Sequence, residues 1–178
     1  MQSVTELGRL ARELSKASFA ARWSHPFLVV GGLDEAMLFD FHTNAAPSPL
    51  RSADLQERLR TLTENEPAEP IHERLEVLPV LKSEHNPYSD RISLGRSKAC
   101  DIALPDAHVS KLHAHFLREP DGGWALRDAD STNGTFRNGV RLAGGERVRI
   151  KPGDLLRFGF LDTRFVDALG LHEWLRQR

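Results

Sequence analysis

From residue 76 onward the sequence breaks into apolar or alternating runs too short for packed helices: 77–81, 91–94, 101–104, 112–118, 124–128, 134–136, 146–150, 155–160 and 163–166. Turn-forming Gly, Pro, Asn and Asp residues separate them. Runs of this length suit strands, and many short strands at close spacing must close into a sandwich or a barrel to bury their apolar faces. Pro79 carries no amide hydrogen, so the first of these strands belongs at a sheet edge or at a bulge. Leu171, Trp174 and Leu175 fall on one side of a helical turn, which predicts a short helix over 169–178.

The stretch before residue 76 has a different texture. Ser3 and Glu6 have capping-box spacing. Val4, Leu7, Leu10, Leu14, Ala17 and Ala21 then recur at three- and four-residue steps, predicting one amphipathic helix that ends before Pro26. Arg9, Arg12, Lys16 and Arg22 line its polar side, but Glu6 and Glu13 dilute that charge, so the helix is expected to pack on its own protein. Residues 25–30 read as a strand stopped by Gly31 and Gly32, and 33–41 is apolar without a clean period. Residues 44–49 form a turn-rich connector, after which Ser52 can cap a helix carrying Leu55, Leu59 and Leu62. Glu64, Glu66, Glu69 and Glu73, interleaved with Pro67 and Pro70, make an acidic, helix-hostile stretch. The expected division is a largely helical N-terminal extension over 1–63, a linker over 64–75, and an all-β sandwich of short antiparallel strands with a C-terminal helix over 76–178. A piece running from about residue 74 to 178 should then fold and bind on its own.

Composition narrows the function. The net charge of −1 provides no basic field for nucleic acid or anionic membrane. Cys100 is the only cysteine, which rules out an intramolecular disulfide and a CxxC zinc site and fits a reducing cytoplasm. The N-terminus has no basic flank leading into an apolar run, and no apolar stretch is long enough to insert in a bilayer. A soluble, cytoplasmic chain is expected. His108, His113 and His115 are not completed by a carboxylate or cysteine at ligand spacing, so neither a metal nor a cofactor is expected.

Five short motifs remain: Gly95-Arg96-Ser97, Val109-Ser110-Lys111-Leu112-His113-Ala114, Asp130-Ser131-Thr132-Asn133-Gly134-Thr135, Asn138-Gly139 and Gly153-Asp154. Their polar members fall at strand ends or turns, where a rigid sandwich displays side chains at its rim. Arg96, Ser110, Lys111, Thr132, Asn133 and Asn138 supply guanidinium, hydroxyl, ammonium and amide donors. Such a set suits holding a phosphorylated side chain, which brings close to two negative charges and three acceptor oxygens.

In the order and spacing of these motifs the segment from about 76 to 169 resembles the forkhead-associated (FHA) domains. The resemblance implies a phosphothreonine-dependent peptide-binding module acting in Ser/Thr kinase signalling or regulated assembly. Its partner would be a phosphothreonine-containing protein, either a Ser/Thr kinase or a kinase substrate. It implies that Arg96 and Ser110 contact phosphate oxygens, that Lys111 and Thr132 assist, that Asn133 fixes the peptide backbone, and that Asn138 supports or faces the peptide. His108 and the 128–133 loop would select a peptide residue after the phosphothreonine. His113 would be structural, and Gly95, Gly134 and Gly139 would form turns. Two other functions compete: a phosphate-independent scaffold using the sandwich face or the N-terminal helix, and a hydrolase built on Ser110 and His113. The hydrolase lacks a G-x-S-x-G elbow and an evident orienting acid. Taken together, the residues predict a binding protein, not an enzyme.

Overall fold

A computed structural model of the chain describes residues 3–31 and 75–177. The expected helix at 52–62, the acidic linker and the 33–41 stretch lie outside the described residues. Two helices, α1 (Val4–Glu13) and α2 (Lys16–Ala20), come first. Strand β1 (Phe27–Val30) follows them, and a third helix, α3 (Ala168–Arg176), ends the fold. The other strands are β2 (Glu76–Pro79), β3 (Arg91–Gly95), β4 (Ile102–Ala103), β5 (Ala114–Arg118), β6 (Trp124–Asp128), β7 (Thr135–Arg137), β8 (Val140–Arg141), β9 (Arg147–Ile150), β10 (Leu155–Phe158) and β11 (Leu161–Val166).

These strands form two facing sheets. One has the order β2-β1-β11-β10-β7-β8 and the other β4-β3-β5-β6-β9. Pairing is antiparallel throughout except between β3 and β4, which run parallel through Leu94↔Ile102 and Gly95↔Ala103. Inward-facing residues such as Phe116, Leu126, Leu156, Phe158 and Phe165, all fully buried, fill the space between the sheets. Pro79 ends β2, an edge strand, where a missing amide hydrogen leaves no ladder bond broken. No helix among the described residues is long and apolar enough to cross a membrane.

The expected single N-terminal helix is in fact two. Ser3 Oγ accepts from the Glu6 amide as the cap of α1, but Leu14 adopts an extended backbone and Ser15 caps α2 by accepting from the Ser18 amide at 3.2 Å. A serine inside an apolar periodicity offers the backbone a competing partner, and here it wins. The break rotates the apolar face: Ala17 and Ala21 are exposed, while Phe19 is fully buried.

A larger difference concerns β1. Its residues, assigned from sequence to the N-terminal extension, lie between β2 and β11, pairing Leu28 with both Leu78 and Phe165. All four are buried because Leu28 and Val30 face the sandwich core, whereas Phe27 and Val29 face a second core. Helices α1, α2 and α3 form the roof of that second core through Leu7, Phe19, Leu171 and Trp174. A strand covered on both faces reads as a continuous apolar run, as Phe27–Val30 does.

A carboxylate holds the loop before β3 in place. Asp101 accepts from the amides and hydroxyls of Ser83 and Ser93 and from the Asn86 side chain, at 2.6 to 2.7 Å. Burial alone would raise its pKa, but the bonds from Ser93 and Ser83 outweigh burial and lower it to about 2. A folded-state value below the unfolded one gives stability that is present at neutral pH and lost as pH falls from about 4 towards 2. Asp101→Asn should lower stability by about 1.5–3 kcal/mol at pH 7, the range for hydrogen bonds to a charged group. Urea unfolding at pH 7 and pH 3 checks this: the difference between variant and parent should shrink at the lower pH.

Candidate functional site

Glycine at 95 lets the end of β3 touch the loop before β5. A Cβ on Gly95 would sit 2.3 Å from the Lys111 carbonyl oxygen, so any other residue would push the two segments apart. Held this way, the Arg96 amide donates to the Ser110 carbonyl at 2.9 Å and the Ser97 amide to the Lys111 carbonyl at 3.1 Å. Arg96 Nε donates to the Val109 carbonyl at 3.2 Å, fixing the base of an exposed guanidinium. The 110–113 and 131–134 loops are joined in the same manner. Ser110 Oγ accepts from the Thr132 amide at 3.0 Å and lies 3.3 Å from Thr132 Oγ1, while Asn133 Nδ2 donates to the His108 carbonyl at 2.9 Å.

The result is a hollow of 260 Å³ lined by Arg96, Ala107, His108, Val109, Ser110, Lys111, Thr132 and Asn133. Two cations line it and no anion does. The neighbouring carboxylates are committed elsewhere. Asp106 accepts from the His108 amide and lies 3.1 Å from its Nδ1, and Asp128 accepts from the hydroxyls of Ser131 and Thr135. For Asp128, burial pushes the pKa up, but the bonds from Ser131 and Thr135 outweigh it and hold it below the ordinary value. An electropositive hollow with converging hydroxyl and amide groups is suited to a dianionic phosphate ester.

His113 lies beneath this floor and is fully buried. Its Nδ1 accepts from the Ser110 amide at 3.0 Å, so the proton sits on Nε2, which donates to the Gly134 carbonyl at 3.1 Å. Both ring nitrogens bind main chain and neither binds the Ser110 hydroxyl, as a Ser-His nucleophile pair requires. Burial lowers the pKa of His113, against the smaller opposing effects of Gly134 and Asp128. With the folded value below the unfolded one, its contribution to stability is complete above about pH 6.5 and declines as pH falls below that. His113→Ala should lower stability and affinity together, the former by about 1–3 kcal/mol for the unsatisfied Ser110 and Gly134 groups. Thermal melts paired with binding assays check this; weakened binding at an unchanged midpoint would count against an architectural role.

Of the residues expected from sequence to contact a phosphopeptide, Arg96, Ser110, Lys111, Thr132 and Asn133 come together, with His108 at the margin. Asn138 does not join them. It sits with Gly139 in the tight β7–β8 turn, both at positive φ (48° and 81°), the geometry that Asn-Gly favours in tight hairpins. Its Oδ1 accepts from the Leu155 amide and its Nδ2 donates to Asp154, so its side chain closes the hairpin onto β10. Gly134, at φ 86°, lies where the 131–134 loop enters β7. Asp128 and Ser131, which brace that loop, enter the sequence analysis only as members of the 128–133 stretch and without this role, and Gly159 is not singled out there. Gly159 has φ 65° and a Cβ position only 2.3 Å from the His108 carbonyl oxygen.

The FHA domain family model matches residues 92–159. An ABC transporter ATP-binding/permease protein of Mycobacterium tuberculosis is 36% identical over 77 residues, covering 43% of this chain and 8% of that protein. A probable serine/threonine-protein kinase of Dictyostelium discoideum is 33% identical over 91 residues, covering 47% of this chain and 15% of the kinase. The serine/threonine-protein kinase cds1 of Schizosaccharomyces pombe is 32% identical over 93 residues, with shares of 48% and 19%. The chain thus spans less than a fifth of the length of each of these relatives. Among solved structures, an engineered FHA domain with a Myc-pTBD peptide aligns with TM-score 0.46 at 21% identity, covering 86% of this chain and 99% of that one. The FHA domain of a Chlamydia trachomatis protein aligns with TM-score 0.43 at 18% identity, covering 52% and 85%.

Proposed function

We propose, on the match of residues 92–159 to the FHA domain family, that this chain is a phosphothreonine-dependent protein-binding module and not an enzyme. The observation that carries this reading is the hollow at the sandwich rim, where Arg96 and Lys111 stand beside Ser110, Thr132 and Asn133 with no carboxylate among them. Arg96 and Ser110 take the phosphate oxygens, Lys111 adds charge, Thr132 fixes the Ser110 hydroxyl, and Asn133 turns its amide to the peptide main chain. His108 and the 128–133 loop border the path of the peptide beyond the phosphothreonine. The side chain that would make Ser110 a nucleophile is committed to Ser110's own backbone, which favours holding a phosphate ester over cleaving one.

Two of the matched relatives are protein kinases by name, which agrees with a partner that is a Ser/Thr kinase or its phosphorylated substrate. Neither nucleic acid nor a bilayer is a partner in this reading, and the single cysteine fits a reducing cytoplasmic setting. Calorimetry of the full chain with a phosphothreonine peptide and its unphosphorylated twin tests the proposal. The phosphopeptide should bind and the twin should not; equal binding of the two would favour a phosphate-independent scaffold instead.

A further inference from the structure

At the opposite end of the sandwich from the phosphate hollow, where β11 hands over to α3, lies a second cavity, of 410 Å³. The turn between β9 and β10 borders it through Pro152 and Gly153, and the Gly153 amide fixes that turn by donating to the Phe165 carbonyl at 2.8 Å. Val166 and Trp174, both buried, and Leu169, 43% exposed on the first turn of α3, give the cavity an apolar lining. Arg164 enters it from β11. This arginine shares its face of the sheet with Val166, two residues on, and its partners across the ladders are Val29 and Leu155, so its strand neighbours are apolar.

Arg164 is the group here without a counterpart. Its Nε is covered and has no hydrogen-bond partner, one of two such buried side-chain atoms among the described residues. Its guanidinium makes no ion pair among them either. A cation partly withdrawn from water with nothing to balance it is costly, and an arriving anion offsets that cost. The two carboxylates that line the same cavity are committed elsewhere: Asp167 accepts from the Gly170 amide at 2.7 Å as the cap of α3, and Glu173 pairs with Lys16 of α2. Their charges would repel a doubly charged phosphate ester, whereas a single carboxylate matches the single guanidinium. Pro152, Gly153 and Leu169 are exposed, so the cavity opens as a groove that side chains of a larger partner can enter.

We propose that this groove is a second docking site, which takes from a partner protein an unphosphorylated segment carrying Asp or Glu beside a large aliphatic or aromatic side chain. The carboxylate pairs with Arg164, and the apolar side chain packs on Leu169 at the cavity wall. Nothing in this assignment depends on the phosphothreonine reading of the hollow. The two sites lie at opposite ends of the sandwich and can be filled at once.

The test is a random library of unphosphorylated peptides selected on the full chain, followed by calorimetry of the best binder with the parent and with Arg164→Met, which keeps the stem of the side chain and removes its charge. The selected peptides should place Asp or Glu beside Leu, Ile or Phe. Changing that acid to its amide should weaken binding to the parent about tenfold, as for loss of one charge-assisted hydrogen bond. Arg164→Met should bind the acidic peptide about tenfold more weakly than the parent does, and there the change from acid to amide should no longer matter. Because the variant removes an uncompensated charge, it should melt at the parent's midpoint or above it. A library that yields no binder, or binders without an acidic residue, overturns the proposal, and so does an acid effect that persists in Arg164→Met. Binding abolished by Arg96→Ala would put the peptides in the phosphate hollow, and an Arg164→Met chain melting well below the parent would give Arg164 a structural role; either result overturns the proposal and leaves the reading of the hollow intact.

Discussion

Arg96→Ala should weaken phosphothreonine-peptide binding at least roughly thirtyfold, the loss expected when a charge-assisted contact of about 2–5 kcal/mol is removed. The main-chain bonds of Arg96 to Ser110 do not depend on its side chain, and only Nε is committed, to Val109. The remaining guanidinium nitrogens have no protein partner among the described residues. They stand at the rim of a hollow with one other cation and no anion. Because the side chain is exposed, its truncation should leave the unfolding free energy within about 0.5 kcal/mol of the parent, so affinity and stability separate in this variant. Arg96→Lys keeps the charge but loses the planar fork and the Nε anchor, and should also bind weakly. Lys111→Ala should have a smaller effect, since an ammonium on a flexible exposed stem gives charge with little geometry. Calorimetry with one phosphopeptide across the three variants checks the ranking. An Arg96→Ala protein that melts like the parent and binds like it would mean that the hollow is not the phosphate site.

The residues of that hollow are legible in the sequence because their chemistry and their turn-forming character coincide in short motifs. Arg96 follows Gly95 at the end of β3, Asn133 precedes Gly134, and Ser110, Lys111 and Thr132 lie in the loops that lead into β5 and β7; the fold gathers them. Asn138 shows the limit of the same reasoning. Asn-Gly is a donor-bearing pair and also the preferred pair for a tight hairpin turn, and local sequence does not say which property is used. Here the turn takes both, and the very short β8 exists because of it. Gly159 escapes a sequence reading for a different reason. Gly159 matters through its contact with His108, which lies several strands earlier in the chain, and a single glycine in a strand-rich stretch gives no sign of what approaches it. At Ser15 an unbroken 3–4 spacing of apolar residues outweighs a single serine in the pattern, although the serine decides where α1 stops. The strand pattern after residue 76 is readable because it repeats, whereas β1 pairs with β11 from the far end of the chain and carries no local mark of its partner.

That distant pairing leads to the largest effect expected on stability: a chain lacking residues 1–31 should fail to fold cooperatively. Without β1, strand β2 has no neighbour in its sheet and β11 becomes an unpaired edge. The sandwich core would lose Leu28 and Val30, and the core under the helices would lose Leu7, Ala11, Phe19, Phe27 and Val29, leaving α3 with Leu171, Trp174 and Leu175 uncovered. A single truncation at such a site, Leu28→Ala, should cost about 2–5 kcal/mol. Whole domains of this size are stable by only about 5–15 kcal/mol, so removing the entire strand and its two helices exceeds what the remainder can absorb. The folding unit proposed on this basis includes α1, α2 and β1, contrary to the expectation that a piece starting near residue 74 suffices. Urea unfolding followed by tryptophan fluorescence can measure both changes, since Trp124 and Trp174 lie in the two cores. Leu28→Ala should shift the midpoint without altering the slope, and the shortened chain should show no cooperative transition. A shortened chain that unfolds at the parent's midpoint and still binds a phosphothreonine peptide would show that β1 is an accessory to the sandwich instead of part of it.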